Sequence, residues 1–434
     1  MSDVTRRDFV KNAAAATAVT AASYNRVLGA NDRLGIGIIG PGQRGRSALM
    51  RNFFAWAPDK NATMVAICDI WLKNRERGAE MANKALGVQP KLHKNIDEIL
   101  ADKTVDGIFI ANADFQHAKT AEAVVRAGKD CYCEKPMATV LQHAKDLIKV
   151  VKGSKQVVQV GTQRRSDGKY QQARQMMREG IIGEVKHVDI RWNVMSTRWR
   201  RADVNEVEEK DTDWKRFLMY RPARPFDKHL YMEWRLYRDF SSGIPDQWLS
   251  HQLDVVHWFT GDVHPLSCMA SGGVYYWKDG RENEDTITVV YEYRKGFQVT
   301  YQARLTNGSD DPSELFYSPQ GKLDTIKMTV TGDGAEAKFR SRAPVNIPGL
   351  PEARPKNAPT GPSSEPNAPT VGDATAAHVG NFLDCMRSRK QPSATVEDGL
   401  QSSVVALMAL ESLKTGRKVY FDTQKQEIVD YKVS

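Results

Sequence analysis

The stretch Leu34-Gly35-Ile36-Gly37-Ile38-Ile39-Gly40-Pro41-Gly42-Gln43-Arg44-Gly45-Arg46 decides how the rest of the chain reads. Its apolar residues Ile36, Ile38 and Ile39 stop at Gly40, and G-P-G-Q-R-G has the spacing of a turn that feeds a strand into a helix. Gly40 permits the tight turn, Gly42 lets the backbone approach a pyrophosphate without a Cβ in the way, and Gly45 lets the helix pack close to the strand. The pyrophosphate then rests on the N–H groups that open the helix. Gly40, Gly42, Gln43, Arg44 and Gly45 are therefore candidate contacts of a dinucleotide cofactor.

A glycine-rich turn alone is a weak signal, and its context strengthens it. After a helical stretch to Trp56, a second apolar run over 63–68 ends in Asp69. A carboxylate at the end of the second strand accepts hydrogen bonds from the ribose hydroxyls of NAD and repels the extra phosphate of NADP. Lys73, Arg75 and Arg77 follow closely and are able to accept that phosphate, so the reading is NAD with NADP left open.

The 434 residues suit two or three domains, and 41% apolar with 26% charged residues describes a globular protein with material for real cores. The excess charge of +9 is scattered among acids, as over 200–215, which marks a solvated surface and excludes a nucleic-acid-binding face. It gives weak support to an anionic substrate or surface partner. Five cysteines, at 68, 131, 133, 268 and 385, show neither zinc spacing nor a disulfide framework.

Thr5-Arg6-Arg7-Asp8-Phe9-Val10-Lys11 resembles a twin-arginine export signal, and the Ala-rich run over 13–22 that follows is too short and too weakly apolar to span a membrane. Residues 1–30 are read as that signal segment, with cleavage near Ala30, which places the protein in the periplasm or otherwise outside the cytoplasm. Because the twin-arginine route carries folded proteins, the cofactor is expected to travel bound and to be recycled in place.

Read in order, helical patterns over 72–86 and 96–100 lead to a buried strand over 106–111, then a loop over 112–116 and a helix from His117 to 127. A strand over 130–133 ends at Glu134-Lys135-Pro136, and a helix to 152 and a strand over 157–160 complete a doubly wound parallel sheet in residues 31–160. Ligands bind beyond the C-terminal strand ends of such sheets, where these loops fall. From Gly161 the character changes: Gln163-Arg164-Arg165, a helix over 170–179, then strands reaching Trp192 and over 269–276, 285–293, 296–304 and 325–331. Residues 161–434 thus read as an α+β domain with an open, mostly antiparallel sheet, and the fold class as α/β. Six of the nine tryptophans fall within 192–258; most are expected in the core, with one or two facing a sugar. Residues 342–373 form a Pro-rich surface loop, and 374–434 a returning pair of helices, one through His378 and one over 396–413, with a strand over 418–421.

With Gly40 to Gly45, Asp69, Glu134-Lys135-Pro136, Gly161 to Arg164, His251-Gln252-Leu253-Asp254 before Trp258 and Gly261, and the closing runs 381–384 and 411–419, the chain resembles the glucose-fructose oxidoreductase and inositol dehydrogenase (Gfo/Idh/MocA) family in its exported form, from about residue 33 to the end. The resemblance implies a Rossmann domain followed by an open α/β domain whose sheet is often an oligomer interface, so a homo-oligomer, dimer or tetramer, is expected. It implies hydride exchange between a nicotinamide and a hydroxyl of a sugar or polyol, with Lys135 as the active-site lysine before a cis proline and His251 as the catalytic histidine. The family's Asp four residues before that histidine is replaced by Gln247, with Asp246 one earlier, and either is the candidate for its role.

A neutral His suits the task of taking the hydroxyl proton, and a Lys beside a positively charged nicotinamide has its pKa pushed down by the like charge. Glu134, Asn112 and His117 are candidate cofactor contacts on the same edge, and Gln163, Arg164 and Asp254 candidate substrate contacts, with His378 a weaker candidate. His251, Asp254 and His257 share three-residue spacing, but no further ligand clusters with them and no metal is expected. The reading is an oxidoreductase acting on a sugar, polyol or derivative. Two alternatives stay open: a glycosidase working by transient oxidation, elimination, hydration and re-reduction, and a non-catalytic sugar-binding protein stabilised by its cofactor.

Overall fold

The alternation of Ile36, Ile38 and Ile39 with glycines builds a strand buried on both faces, β1 (Leu34–Ile39), at the centre of the first sheet. The protein is described by a computed structural model covering residues 32–309, 312–337, 343–350, 355 and 374–433, so the twin-arginine stretch and most of the Pro-rich run lie outside the described residues. The glycine turn leads into a π-helical stretch, Gly45–Met50, continuous with α1 (Arg51–Trp56). Then come β2 (Ala62–Cys68), α2 (Leu72–Leu86), β3 (Lys91–His93), α3 (Ile96–Ala101), β4 (Gly107–Ile110), α4 (His117–Arg126), β5 (Asp130–Cys133), α5 (Leu141–Lys152) and β6 (Val158–Val160). All six strands are parallel in the order β3-β2-β1-β4-β5-β6. The order reverses between β1 and β4, which opens a crevice between the Gly40 turn and the Asn112 loop.

After α6 (Gly168–Arg178) and β7 (His187–Asn193), residues 194–249 contribute only short helical turns before α7 (Ser250–Thr260). Strands β8 (Pro265–Gly273), β9 (Thr286–Tyr293), β10 (Gln298–Arg304), β11 (Ser313–Tyr317), β12 (Lys322–Asp324), β13 (Thr329–Thr331) and β14 (Val345–Asn346), with the closing β15 (Val419–Asp422) and β16 (Glu427–Val429), complete a second sheet. Its order is β14-β13-β12-β11-β7-β10-β9-β8-β15-β16, with β7–β10 parallel and the other pairs antiparallel. One face buries Val289, Tyr291, Val299 and Tyr301 under α6, α7 and the long α9 (Val396–Thr415); the other presents Met269, Thr288 and Val290. The strand expected over 325–331 is instead half of a hairpin, β12 and β13, whose connection carries Met328 at φ 51°. The strand expected over 269–276 begins earlier, at Pro265, and stops at Gly273. Strand β11 adds a further member that its short, polar-flanked sequence did not announce.

Two segments tie the sheets together. Helix α8 (Ala374–Ser388) returns to the first sheet, where Val379, Phe382, Leu383 and Met386 join Ile36, Phe53, Phe109 and Tyr132 in one core. Residues 207–240 bring Val207, Trp214, Phe217, Tyr231, Trp234 and Phe240 against Trp71, Ala113 and Phe115 of the first domain. Among the described residues no helix is long and apolar enough to cross a membrane.

Helix α8 approaches α1 so closely that a Cβ on Gly380 would lie 2.7 Å from the Trp56 ring, whose Nε1 donates to Ala376 O at 2.6 Å. The ring is rigid and pinned, so Gly380→Ala should lower stability by about 1–3 kcal/mol in a denaturant titration. Gly107→Ala, whose methyl would meet the flexible thioether end of Met386, should lower it less.

Candidate active site

A cleft of about 1400 Å³ runs from the glycine turn across to α7 of the second domain. Each glycine of the turn carries a distinct constraint. Gly40 sits at φ 78° with its N–H on Cys68 O at 2.9 Å, and a Cβ there would lie 2.6 Å from Asn112 N. Gly42 faces open space, the nearest heavy atom to a Cβ there being Gly40 O at 4.0 Å, while at Gly45 the same oxygen stands at 2.7 Å. The turn therefore closes on the strand and the helix and opens toward the cleft, as a pyrophosphate requires. Gly45 supports this opening without lining it, whereas Gly42, Gln43 and Arg44 form the wall.

Asp69 lines the cleft at the end of β2. Its Oδ1 accepts from Trp71 N at 2.8 Å and from the Tyr231 hydroxyl at 3.3 Å, and its Oδ2 from Asn74 Nδ2 at 3.0 Å. Burial pushes the carboxyl up against these hydrogen bonds. Lys73 and Arg77 turn to Glu206 at 3.3 and 2.9 Å, and the Arg75 guanidinium donates to Asp69 O. Asn112 donates to Thr120 Oγ1 at 2.9 Å and leaves its buried Oδ1 without a partner, an acceptor suited to an amide or hydroxyl of the cofactor. The turn, Asp69 and Asn112 fit NAD.

At the end of β5 the Lys135–Pro136 bond is cis. Glu134 pairs with Arg44 Nε at 2.8 Å. Gln163, with its amide oriented to satisfy both ends, accepts from Arg44 Nη2 at 3.3 Å and donates to Gly161 O at 2.7 Å. His117 is buried between two loops, Nδ1 at 2.8 Å from Pro136 O and Nε2 at 3.2 Å from Asn112 O; burial lowers its pKa. Lys135 Nζ crosses to the second domain and donates to Gln247 O at 2.6 Å. His251 lies on the first turn of α7 and lines the cleft. Its pKa is held well below the imidazole range by burial and by the charges of Lys135, Arg164 and Arg44.

The replaced position resolves into a buried network. Gln247 lines the cleft: its Oε1 accepts from Arg235 Nε at 2.9 Å, and its Nε2 donates to Asp114 Oδ2. Asp246 does not line the cleft; its carboxylate turns to Ser242 N at 2.7 Å. The carboxylate that meets Gln247 on the cleft wall is Asp114, from the loop after β4, which also accepts from Ser241 Oγ at 2.8 Å. Burial raises Asp114 to about 6 against the pull of Arg235 and Lys135, and raises Asp246 to about 7 with Asp114 as a like-charged neighbour. Sequence reasoning passed over Asp114 and Arg235; the one available signal was Asp114's place in a loop at a strand's C-terminal end.

Arg164 lines the cleft and pairs with the buried Glu314 at 2.5 Å. Asp254 does not line it, since Arg165 holds it at 2.9 Å and also reaches Asp398 of α9 at 3.0 Å. His378 is buried on Val160 O at 2.8 Å and Ser166 Oγ at 2.7 Å, away from the cleft. Four of the six tryptophans line the cleft, more than expected: Trp192, Trp199, Trp234 and Trp248. Trp192 stacks on Trp248 at 5.5 Å, with the Arg198 guanidinium 5.3 Å from the Trp248 ring.

The raised carboxyl of Asp114 has a stability consequence with a definite sign. Its folded pKa of about 6 exceeds the ordinary aspartate value of 3.8, so the ionised group destabilises the fold above about pH 6 and the penalty disappears below pH 4. Both of its donors bind Oδ2, which Asn Oδ1 can replace. Asp114→Asn should therefore gain about 2–3 kcal/mol at pH 7.5 and nothing at pH 3.5, read from thermal melts at the two pH values.

Residues 34–162 match the oxidoreductase family, NAD-binding Rossmann fold (Gfo/Idh/MocA), and residues 174–421 match that family's C-terminal alpha/beta domain. The inositol 2-dehydrogenase of Azotobacter vinelandii is 31% identical over 152 residues, which are 35% of this chain and 43% of that protein. The chain spans about half the length of the first curated relatives it matches. Among solved structures, the aldose-aldose oxidoreductase from Caulobacter crescentus complexed with glycerol shares the fold at TM-score 0.65 and 18% identity, over 89% of this chain and 99% of that one. A levoglucosan dehydrogenase complexed with NADH and levoglucosan shares it at TM-score 0.66 and 16% identity, over 90% and 99%. The glycine turn, the Asp69 carboxylate and the lysine before a cis proline thus sit in a chain that belongs to the Gfo/Idh/MocA oxidoreductase family.

Proposed function

We propose that this chain is an exported oxidoreductase that retains NAD and exchanges a hydride with a secondary hydroxyl of a sugar, polyol or sugar derivative. The observation that carries the reading is the meeting of Lys135 and His251 on the wall of the cleft that holds the dinucleotide turn. When bound, NAD supplies the hydride acceptor. His251, held neutral by burial and further by its cationic surroundings, takes the hydroxyl proton on its imidazole. The Lys135 ammonium, aimed by the Gln247 carbonyl, binds the same oxygen and stabilises charge that develops there. Asp114, Gln247 and Arg235 keep that carbonyl in place. The tryptophans offer flat faces to the C–H side of a sugar ring, which excludes water from the reacting carbon. Export is supported by Thr5 to Lys11, and self-association by the open face of the ten-stranded sheet.

The test is an absorbance and fluorescence scan of the purified, dialysed protein before and after a panel of sugars, polyols and aryl glycosides is added. Bound NAD should become NADH with one of them, and Lys135→Ala should slow that change by at least about 100-fold. An unchanged rate in Lys135→Ala would sink the assignment of the lysine. Phenol release from aryl glycosides without lasting NADH would replace net redox with net hydrolysis.

A further inference from the structure

The mechanism uses the reacting end of the cleft and leaves unexplained why the aromatic segment of the second domain crosses back over the opposite end. Two contacts of that segment fall on the dinucleotide-binding residues themselves. The Tyr231 hydroxyl donates to Asp69 Oδ1 at 3.3 Å, the carboxylate placed for the ribose hydroxyls. Arg201 Nη1 donates to Gln43 Oε1 at 3.0 Å, in the middle of the glycine turn. Both residues line the cleft although both belong to the second domain.

The segment is held down by an apolar joint rather than by surface charge. Phe115 of the first domain meets Phe217, Tyr220 and Phe240 at centroid distances of 5.5, 5.9 and 5.1 Å, and Trp71 and Phe115 are each 1% exposed. Gln116 Nε2 donates to Phe217 O and the Tyr220 hydroxyl to Phe115 O, both at 2.7 Å. The ionic tethers, Lys73 and Arg77 to Glu206 and Arg216 to Asp97, join partly exposed side chains and add little. Arg201 is itself fixed, its guanidinium on both oxygens of Asp203 at 3.0 Å and its main-chain N–H on Glu233 Oε1 at 2.8 Å.

We propose that Arg201 on the glycine turn and Tyr231 on Asp69 complete the adenosine end of the cofactor site as the second domain's cofactor-retaining residues. The proposal rests on the reading of the cleft as an NAD site. A dinucleotide seated on the turn and on Asp69 then leaves only after the aromatic joint on Trp71 and Phe115 parts, so release is slow compared with release from a Rossmann domain whose adenosine end is open.

The full chain, purified and loaded with NADH, is mixed with excess NAD, and loss of bound NADH fluorescence gives the release rate without any substrate. Tyr231→Phe and Arg201→Ala should each speed release about tenfold, in keeping with loss of one hydrogen bond involving a charged group. Lys228→Ala, on the same short helix as Tyr231 and bonded to Asn205 at the surface, should release at the unaltered rate and show that the segment still folds. Unaltered release from both Tyr231→Phe and Arg201→Ala overturns the proposal while leaving the NAD reading intact, as does equal acceleration by Lys228→Ala. Failure of the unaltered chain to bind NAD or NADH in a fluorescence titration overturns the NAD reading and the proposal with it.

Discussion

The hydrogen bond from Lys135 Nζ to the main-chain carbonyl of Gln247 spans two domains, and the chemistry of the cleft depends on it. The lysine leaves the end of β5 in the first sheet; its acceptor belongs to the turn that opens α7 in the second. Neither domain alone aims the ammonium. A main-chain acceptor does not change protonation with pH, so the lysine's direction is insulated from titration of the carboxylates around it. On the second domain's side of the cleft, two buried arginines brace the elements around that turn. The buried Arg165 clamps Asp254 of α7 to Asp398 of α9, and Arg164 reaches Glu314 of β11. Each pair is costly to break from one side, because the survivor would be a buried, unpaired charge.

Around that bond, burial drives the titratable side chains toward their neutral forms. Burial, with the cations at Lys135, Arg164 and Arg44, depresses His251, and burial raises Asp114 and Asp246. Where the family's Asp would stand, Gln247 is neutral, and the carboxylate it contacts comes from the loop after β4. The carboxylate bonded to this side chain is thus supplied by the other domain.

Much of this was legible in the residues. The doubly wound sheet follows from apolar runs closed by glycine and acid, and α2, β5 and the end of α5 fall where periodicity placed them. The cleft walls at Gly42, Asp69 and Lys135 follow from spacing plus the rule that ligands gather at strand ends, whereas His251 follows from the family resemblance. Long-range pairing was not legible. Asp114 became part of the site only because a loop in one domain meets a turn in the other, and Asp254 left it only because Arg165 lies across the helix. The hairpin at β12 and β13 escaped notice because its turn uses Met328 at positive φ, where no glycine marks the reversal. The tryptophans are core and cleft wall at once, a distinction that composition does not draw.

Helix α8 has a further consequence for biosynthesis. It supplies Val379, Phe382, Leu383 and Met386 to a core whose other members lie before residue 158. During vectorial synthesis the first sheet is therefore exposed along its Phe53, Phe109 and Tyr132 seam until residues 374–388 have left the ribosome. The nucleotide-binding half, though made first, is completed only after most of the second domain has been made. A product truncated before residue 374 would therefore be unable to close that seam.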